Sequence, residues 1–253
     1  MTSELKIKVR GLHKAFGNHK VLNGIDLDIP KSSSLVILGG SGTGKSVLIK
    51  TIIGLIKADS GSILIDGIET GNISNRDRFK QMEKFGFLFQ GGALFDSLNI
   101  EDNITFAAAK IHNLSPKAKK DLAVEKLESV GLSERILNLY PSELSGGMQK
   151  RVSLARAICS NPEVIFFDEP TTGLDPIMAN VINELIVKIQ SKLGATTITI
   201  THDMHSAYMI ATNVALIHEG KILWIGKKEE MKSTDNPYLH QFINGLSSGP
   251  ITV

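Results

Sequence analysis

Cysteine is almost absent from this chain, with Cys159 the only one in 253 residues. That excludes an intramolecular disulfide and any cysteine-built metal centre, and it suits a reducing compartment. In ARAICSN, Cys159 reads as a small hydrophobe on a buried helical face. Long apolar runs are missing too, and no stretch approaches the roughly 18 residues that a membrane-spanning helix needs. Neither sign of charge dominates: 28 Lys and Arg against 26 Asp and Glu leave a net +2. This excludes a strongly basic nucleic-acid scaffold and a strongly acidic tail. The amino terminus has no secretory apolar core; Leu5, Ile7 and Val9 alternate as in a strand. The expectation is a chain that begins folded in a cytosol-like compartment and reaches any membrane through a partner. No repeat, low-complexity tract or long linker is visible.

What is present is an alternation of strand and helix patterns. LKIKV and IDLDI, separated by FGNHK, predict an antiparallel pair with its turn at Gly17-Asn18. SLVILGG is a short, nearly all-apolar strand of the kind covered on both faces. It runs into a glycine loop and a helix over about 45–55. GSILIDG and FGFLFQ are further strands. From about residue 100 to 160 helical spacing takes over. There Ser115-Pro116 offers a cap and first position, Leu122, Leu127 and Val130 share a face, and Gly131 stops the helix. VIFFD, a helix over Pro176–Leu193, TTITIT, a helix over about 205–211 and NVALIHEGKILWIG follow. Val181, Ile182, Leu185, Ile186, Ile189 and Leu193 give the Pro176 helix one apolar stripe for packing on a sheet. The pattern predicts an α/β core with a helical insertion and an antiparallel edge.

The stretch Gly39-Gly40-Ser41-Gly42-Thr43-Gly44-Lys45-Ser46 fits the phosphate-loop pattern in its required place, after a strand and opening a helix. Glycines let successive backbone N–H groups turn inward onto phosphate oxygens, and the helix start adds partial positive charge. Lys45 can reach the β- and γ-phosphates, and the Ser46 hydroxyl can bind Mg²⁺; Val47 completes the ATP-contacting stretch. EVIFFDEP ends an apolar strand in Asp168, placed to hold Mg²⁺ through water, with Glu169 beside the γ-phosphate as a proton acceptor for attacking water. Two acids at a solvated strand end are the plainer alternative. Hydrolysis of ATP is the reaction class expected. No N-K-x-D guanine-reading motif is present.

A second glycine stretch, PSELSGGMQKR, is harder to account for within one site. GGSGTGKS, LFQ with Gln90, LSGGMQKR, VIFFDEP, GLDP and ITHD with His202 occur in that order. Together they resemble the nucleotide-binding subunit of ABC transporters over nearly the whole chain. The resemblance implies a P-loop, RecA-like core over about 5–99 and 160–235 with an antiparallel β subdomain. It also implies an inserted helical signature subdomain over about 100–159, one domain over 5–245, and a tail over 236–253. It further implies that two subunits meet head to tail, with Ser145, Gly146, Gly147 and Met148 of one closing on the γ-phosphate held by the other. Met148 replaces the family's usual Gln. Phe16 matches the aromatic that stacks on adenine. Gln90 matches the residue that senses Mg²⁺ and γ-phosphate and links the site to the helical subdomain. Asp175 matches the acid of the subunit-crossing loop, although it also reads as a helix cap before Pro176. His202 matches the switch histidine. Catalysis would rest on Glu169, His202, Lys45 and Gln90, and the metal on Ser46, Gln90 and Asp168.

LFQGGALFDSLNIEDNI, the signature with Met148, ARAI, DPI and QFINGLSSGPI narrow the resemblance to ATPases of the Mla/Mce type, which power lipid or phospholipid movement at bacterial membranes. The partners implied are a second copy, integral membrane permease subunits docking near Gln90 to Asp102, and a lipid-binding Mce-domain protein reached through the permease. No nucleic acid is expected. The implied place is the cytoplasmic face of the inner membrane. Ala93, Leu94 and Phe95 read either as an apolar socket for the permease or as core. A different solute, such as a ribonucleotide or organic solvent, and a non-transport ABC ATPase stay open as alternatives.

Overall fold

Alternating burial organises the amino-terminal strands. The computed structural model describes residues 4–71 and 73–252, so Val253, the last residue of the expected tail, lies outside it. β1 (Leu5–Phe16) and β2 (His19–Pro30) pair antiparallel around the expected turn, where Gly17 adopts a positive φ of 59°. Ile7, Val9 and Leu12 of β1 are completely buried. β3 (Ser34–Leu38) is buried at every residue, as its all-apolar pattern predicts. α1 (Lys45–Ile52) stops short of the predicted end because Gly54 turns left-handed and Leu55 is exposed. β4 (Ser60–Ile65) and the short β5 (Ile68–Glu69) extend the first sheet to the order β2-β1-β4-β5. α2 (Asn75–Met82) was not legible from apolar spacing, since none of its residues is buried. Its start is set by Ser74, whose hydroxyl accepts from Asp77 N at 3.1 Å.

The chain divides into two compact units, one running to Met82 and resuming at Thr196, the other spanning Glu83–Ala195. In the second unit β6 (Phe85–Leu88) and β7 (Val164–Asp168) run parallel, with Phe87 opposite Phe166. Those two rings stack at 5.1 Å, and Phe85 meets Phe166 edge-on at 5.5 Å. Between the strands lie α3 (Ile100–His112), α4 (Pro116–Ser129) and α5 (Gly146–Ala157). The Ser115 hydroxyl accepts from Ala118 N at 3.3 Å, which is the cap its sequence position suggested. α6 (Pro176–Leu193) buries Ile182, Ile186 and Ile189 and ends at Gly194 in the left-handed region. The unit is wider than the predicted helical block of 100–159, because β6, β7 and α6 pack with it. Cys159 lies just past α5, 4% exposed, and burial pushes its thiol up to about 11. It stays protonated and behaves as a hydrophobe.

Back in the first unit, β8 (Thr196–Thr201), α7 (Met204–Ile210), β9 (Asn213–His218) and β10 (Lys221–Lys227) complete the core. β3 runs parallel between β8 and β9, and β10 closes the edge antiparallel to β9. The tail from Asn236, which the sequence left open, begins as a helix, α8 (Pro237–Asn244), capped by the Asn236 side chain. Buried Gln241 accepts from Ile251 N at 2.7 Å and donates to Leu246 O and Ile251 O, folding the last residues onto α8. No helix among the described residues is long and apolar enough to cross a membrane.

Gly86 has no room for a side chain. A Cβ on Gly86 would lie 2.1 Å from the Ala157 carbonyl oxygen, a backbone atom that cannot rotate away. Gly86→Ala should therefore lower stability by roughly 1–3 kcal/mol through overpacking, read as a lower urea midpoint with an unchanged slope.

Candidate nucleotide site

Strand register fixes where the first glycine loop emerges. β3 pairs Leu38 with Thr201 of β8 and with Leu216 of β9. The Gly39–Ser46 stretch and His202 therefore leave the sheet at its same, carboxyl end, where open α/β sheets bind ligands. The loop curls because Gly42 and Gly44 hold φ of 76° and 102°. A Cβ on Gly44 would press 2.7 Å from Val21 O, whereas Gly42 faces open space. Lys45, buried to 8% exposure, folds its ammonium onto the loop and donates to Gly39 O at 2.7 Å and Gly40 O at 2.8 Å. Thr43 hydroxyl donates to Gly40 O at 2.9 Å. Gly40, Ser41, Gly42 and Ser46 lie exposed at the loop, and Val47 is half-buried behind them. His202 is exposed one residue beyond β8. Phe16, at the end of β1, is 50% exposed, with the Lys14 ammonium 5.4 Å from its ring centre. That leaves ring area for an aromatic base.

A triphosphate fits this loop. Four of its first six residues are glycines that carry no side chain, Lys45 brings a cation to the loop carbonyls, and α1 begins there with no side chain capping its first N–H groups. Mg²⁺ takes one or two carboxylates, phosphate oxygens and water. The hydroxyl of exposed Ser46 is a donor atom of the kind required, and Asp168 ends β7 as a carboxylate of the kind required.

The remaining candidates belong to the second unit. β6 and β7 are parallel with Leu88 opposite Phe167, so Gln90 and the pair Asp168 and Glu169 leave the strands at the same end. Glu169 is 9% exposed and holds a left-handed φ of 48°, a strained conformation for a residue with a side chain. Thr172 hydroxyl donates to Glu169 Oε2 at 3.1 Å, which fixes the carboxylate's direction. Ser145 caps α5, its hydroxyl oxygen accepting from Met148 N at 3.3 Å while its O–H stays available to donate. Gly146 faces open space and Gly147 packs against the flexible end of Met178. Asp175 is the cap of α6, accepting from Ile177 N and Met178 N at 3.0 Å each.

Sequence reasoning missed the residues that hold these groups. Lys150, 7% exposed, donates to the Gln90 carbonyl. Burial lowers its ammonium below the ordinary value, while nearby Asp168 and Glu169 pull it upward. Arg156, also lowered by burial, donates to Gly92 O at 2.7 Å and Ala93 O at 2.8 Å. Asn103 accepts from Phe95 N and donates to Phe95 O, Leu98 O and Asn99 O. The available signal was polarity at helix positions that the apolar spacing assigns inward.

A glycine loop of this build, opening a helix at the carboxyl end of a parallel strand, defines a nucleoside-triphosphate hydrolase of the P-loop kind. The ABC transporter family model matches residues 22–172. The chain is 38% identical over 251 residues to the probable ribonucleotide transport ATP-binding protein mkl of Mycobacterium leprae, covering 99% of this chain and 72% of that one. It is 35% identical over 245 residues to the intermembrane phospholipid transport system ATP-binding protein MlaF of Escherichia coli, covering 97% and 91%. Its fold matches the ATP-binding cassette MJ0796, in a dimeric post-hydrolysis state bound to ADP and Pi, with a TM-score of 0.80, 30% identity, and 87% and 98% coverage. The chain belongs to the ABC transporter family. It is a transport ATPase that binds and hydrolyses ATP with Mg²⁺, and its relatives include the Mla type.

Gly44 tests the loop directly. Gly44→Ala must either push Val21 aside or abandon a φ of 102°, so ATP binding in a fluorescent-analogue titration should weaken by at least about tenfold, or about 1.4 kcal/mol.

Proposed function

We propose that two copies of this chain enclose two ATP molecules head to tail and use their hydrolysis to drive a lipid or phospholipid transporter. The observation that carries this reading is the second helix start. Ser145, Gly146 and Gly147 present a hydroxyl and main-chain N–H groups at the beginning of α5, with open space at Gly146, in a different unit from the loop that ends at Ser46. A phosphate-binding device duplicated within one chain serves best if each copy completes its twin's site. The relative with the matching fold is itself described as dimeric.

In this reading Lys45 and the N–H groups of α1 hold the β- and γ-phosphates, Phe16 stacks on adenine, and Ser46, Gln90 and Asp168 hold Mg²⁺. Bound Mg²⁺ supplies charge neutralisation on the phosphate oxygens. Glu169 accepts the proton of the attacking water, an effect of about 10²–10⁴-fold. His202 contacts the γ-phosphate, and Asp175 lies on the loop that crosses between subunits. ATP then acts as the adhesive between copies, and its hydrolysis releases them.

The likeness to MlaF supports the cargo and partners of this reading. The loop after Gln90 favours a docking role over a core role. Ala93 is exposed, Phe95 is 43% exposed and touches Phe106 at 4.7 Å between ring centres, and Leu94 is half-buried. Such a patch suits a short apolar helix from a permease. That would place the chain on the cytoplasmic face of the inner membrane, with a lipid-binding Mce-domain protein reached through the permease. The likeness to mkl supports a second reading with a ribonucleotide cargo.

Glu169→Gln should bind ATP normally but accumulate as a nucleotide-bound dimer on size exclusion, and Ser145→Arg should abolish turnover while monomer affinity for ATP changes less than about threefold. A Glu169→Gln variant with normal turnover, or equal loss of monomer binding in Ser145→Arg, refutes the shared site. Mass spectrometry of the native complex should find bound phospholipid; a ribonucleotide in its place selects the second reading.

A further inference from the structure

The second unit contains a cavity of about 330 Å³ whose long walls are the carboxyl-terminal halves of α4 and α6. The walls carry opposite charge. α4 presents Glu125 and Glu128, one turn apart, and α6 presents Lys188 and Lys192, also one turn apart. Ile158, Ile189 and Leu193 supply apolar lining. Lys126 also lines the cavity, is 4% exposed, and donates to Glu125 Oε1 at 3.0 Å and Asn161 Oδ1 at 2.8 Å. Asn161 reaches it from a tight turn after α5, with a left-handed φ of 49° and its N–H donating to Ile158 O at 3.1 Å. An ammonium has three hydrogens to donate. Among the described residues nothing takes the third, so one N–H of this buried group is left for a further acceptor.

Glu125 offsets Lys126, and what remains is uneven. Among the described residues Lys188, Lys192 and Glu128 form no ion pair, so two cations on one wall stand against one carboxylate on the other. We propose that this cavity binds a small zwitterion, a free aminoalkyl phosphate. Its phosphate lies against Lys188, Lys192 and the spare N–H of Lys126, its ammonium against Glu128, and its short carbon chain along Ile158 and Ile189. A phosphate monoester suits the basic wall because it carries a charge of about −1.5 to −2 near pH 7 and three acceptor oxygens. With an ammonium for the acidic wall, the ligand keeps a net negative charge for a cavity of net positive charge. Lys126 and Lys192 stand in the last turns of α4 and α6, where helix carbonyls favour a cation. The volume lies in the range of small-molecule sites and leaves room for bridging water. A lipid head group of similar chemistry is a diester with a single phosphate charge, which leaves the second lysine unanswered. Nothing in this site draws on the glycine loop or on Ser145, so the inference stands apart from the shared ATP site.

The test is a titration of the full-length chain, with saturating ADP and Mg²⁺ filling the glycine loop, read by calorimetry and by the methyl signals of Ile158 and Ile189. O-Phosphoethanolamine should bind with a Kd of about 1 mM or tighter and shift both methyl signals. Inorganic phosphate and ethanolamine should each bind at least about tenfold more weakly, because each answers one wall only. Lys188→Ala combined with Lys192→Ala should weaken O-phosphoethanolamine at least about tenfold. Glu128→Gln should weaken it about fivefold while inorganic phosphate stays within about twofold. All three side chains are exposed, so these variants should keep the wild-type urea midpoint. The site is overturned if about 10 mM O-phosphoethanolamine moves neither methyl signal. It is overturned equally if inorganic phosphate binds as tightly, or if the double lysine variant keeps its affinity. The comparison of ligands on the wild-type chain decides the matter by itself should a variant fold poorly. Binding to vesicles of phosphatidylethanolamine in phosphatidylcholine, without binding of the free ester, also overturns the assignment and makes the lipid head group the source.

Discussion

Main-chain N–H groups gathered at the start of a helix are the interaction on which the molecule depends. A helix start leaves its first N–H groups without intrahelical partners, so they turn to a side-chain cap, water or an anion. The chain builds this twice, at Lys45 in α1 and at Gly146 in α5. At the first, no side-chain cap hydrogen bond occupies the site, and the Lys45 ammonium is turned onto the loop itself. At the second, Ser145 supplies a cap with its oxygen yet keeps its proton for a further acceptor. The same backbone property thus recurs at two helix starts, and it explains why glycine crowds both.

Both stretches need rigid support, and the two units provide it differently. β3 is buried along its whole length and flanked by parallel neighbours on both sides, so the first loop starts from a fixed strand end. The second unit relies on aromatic stacking between β6 and β7 and on polar side chains reaching loop carbonyls. A polar clamp is costlier to bury than an apolar one. Its advantage is direction, since a hydrogen bond fixes where a loop lies and an apolar contact only that it is covered.

Much of this was legible in the residues. The phosphate loop, the strand ending in Asp168, the caps at Ser115 and Asp175, and the Gly17 turn all follow from local chemistry that needs no partner far along the chain. α2 was missed because none of its residues is buried, so it carries no apolar period to read. α1 was drawn too long because Ile53 and Leu55 continue the apolar spacing past the point where Gly54 turns the chain. The grip of Lys150 and Arg156 was invisible for a different reason. Those side chains act on carbonyls about sixty residues away, and a one-dimensional pattern reports contacts within a few turns. The division at Met82 and Thr196 was equally hidden, because it follows packing, not a change in composition.

The left-handed backbone at Glu169 has a consequence for how this protein responds to selection in the laboratory. Strain of this kind typically costs about 1–3 kcal/mol, and glycine would relieve it. Screens that reward heat resistance alone should therefore drift toward Glu169→Gly, yielding sturdier molecules that lack the carboxylate proposed above as proton acceptor. At this one position durability and turnover are opposed by geometry, and any campaign to harden the protein has to hold Glu169 fixed by design.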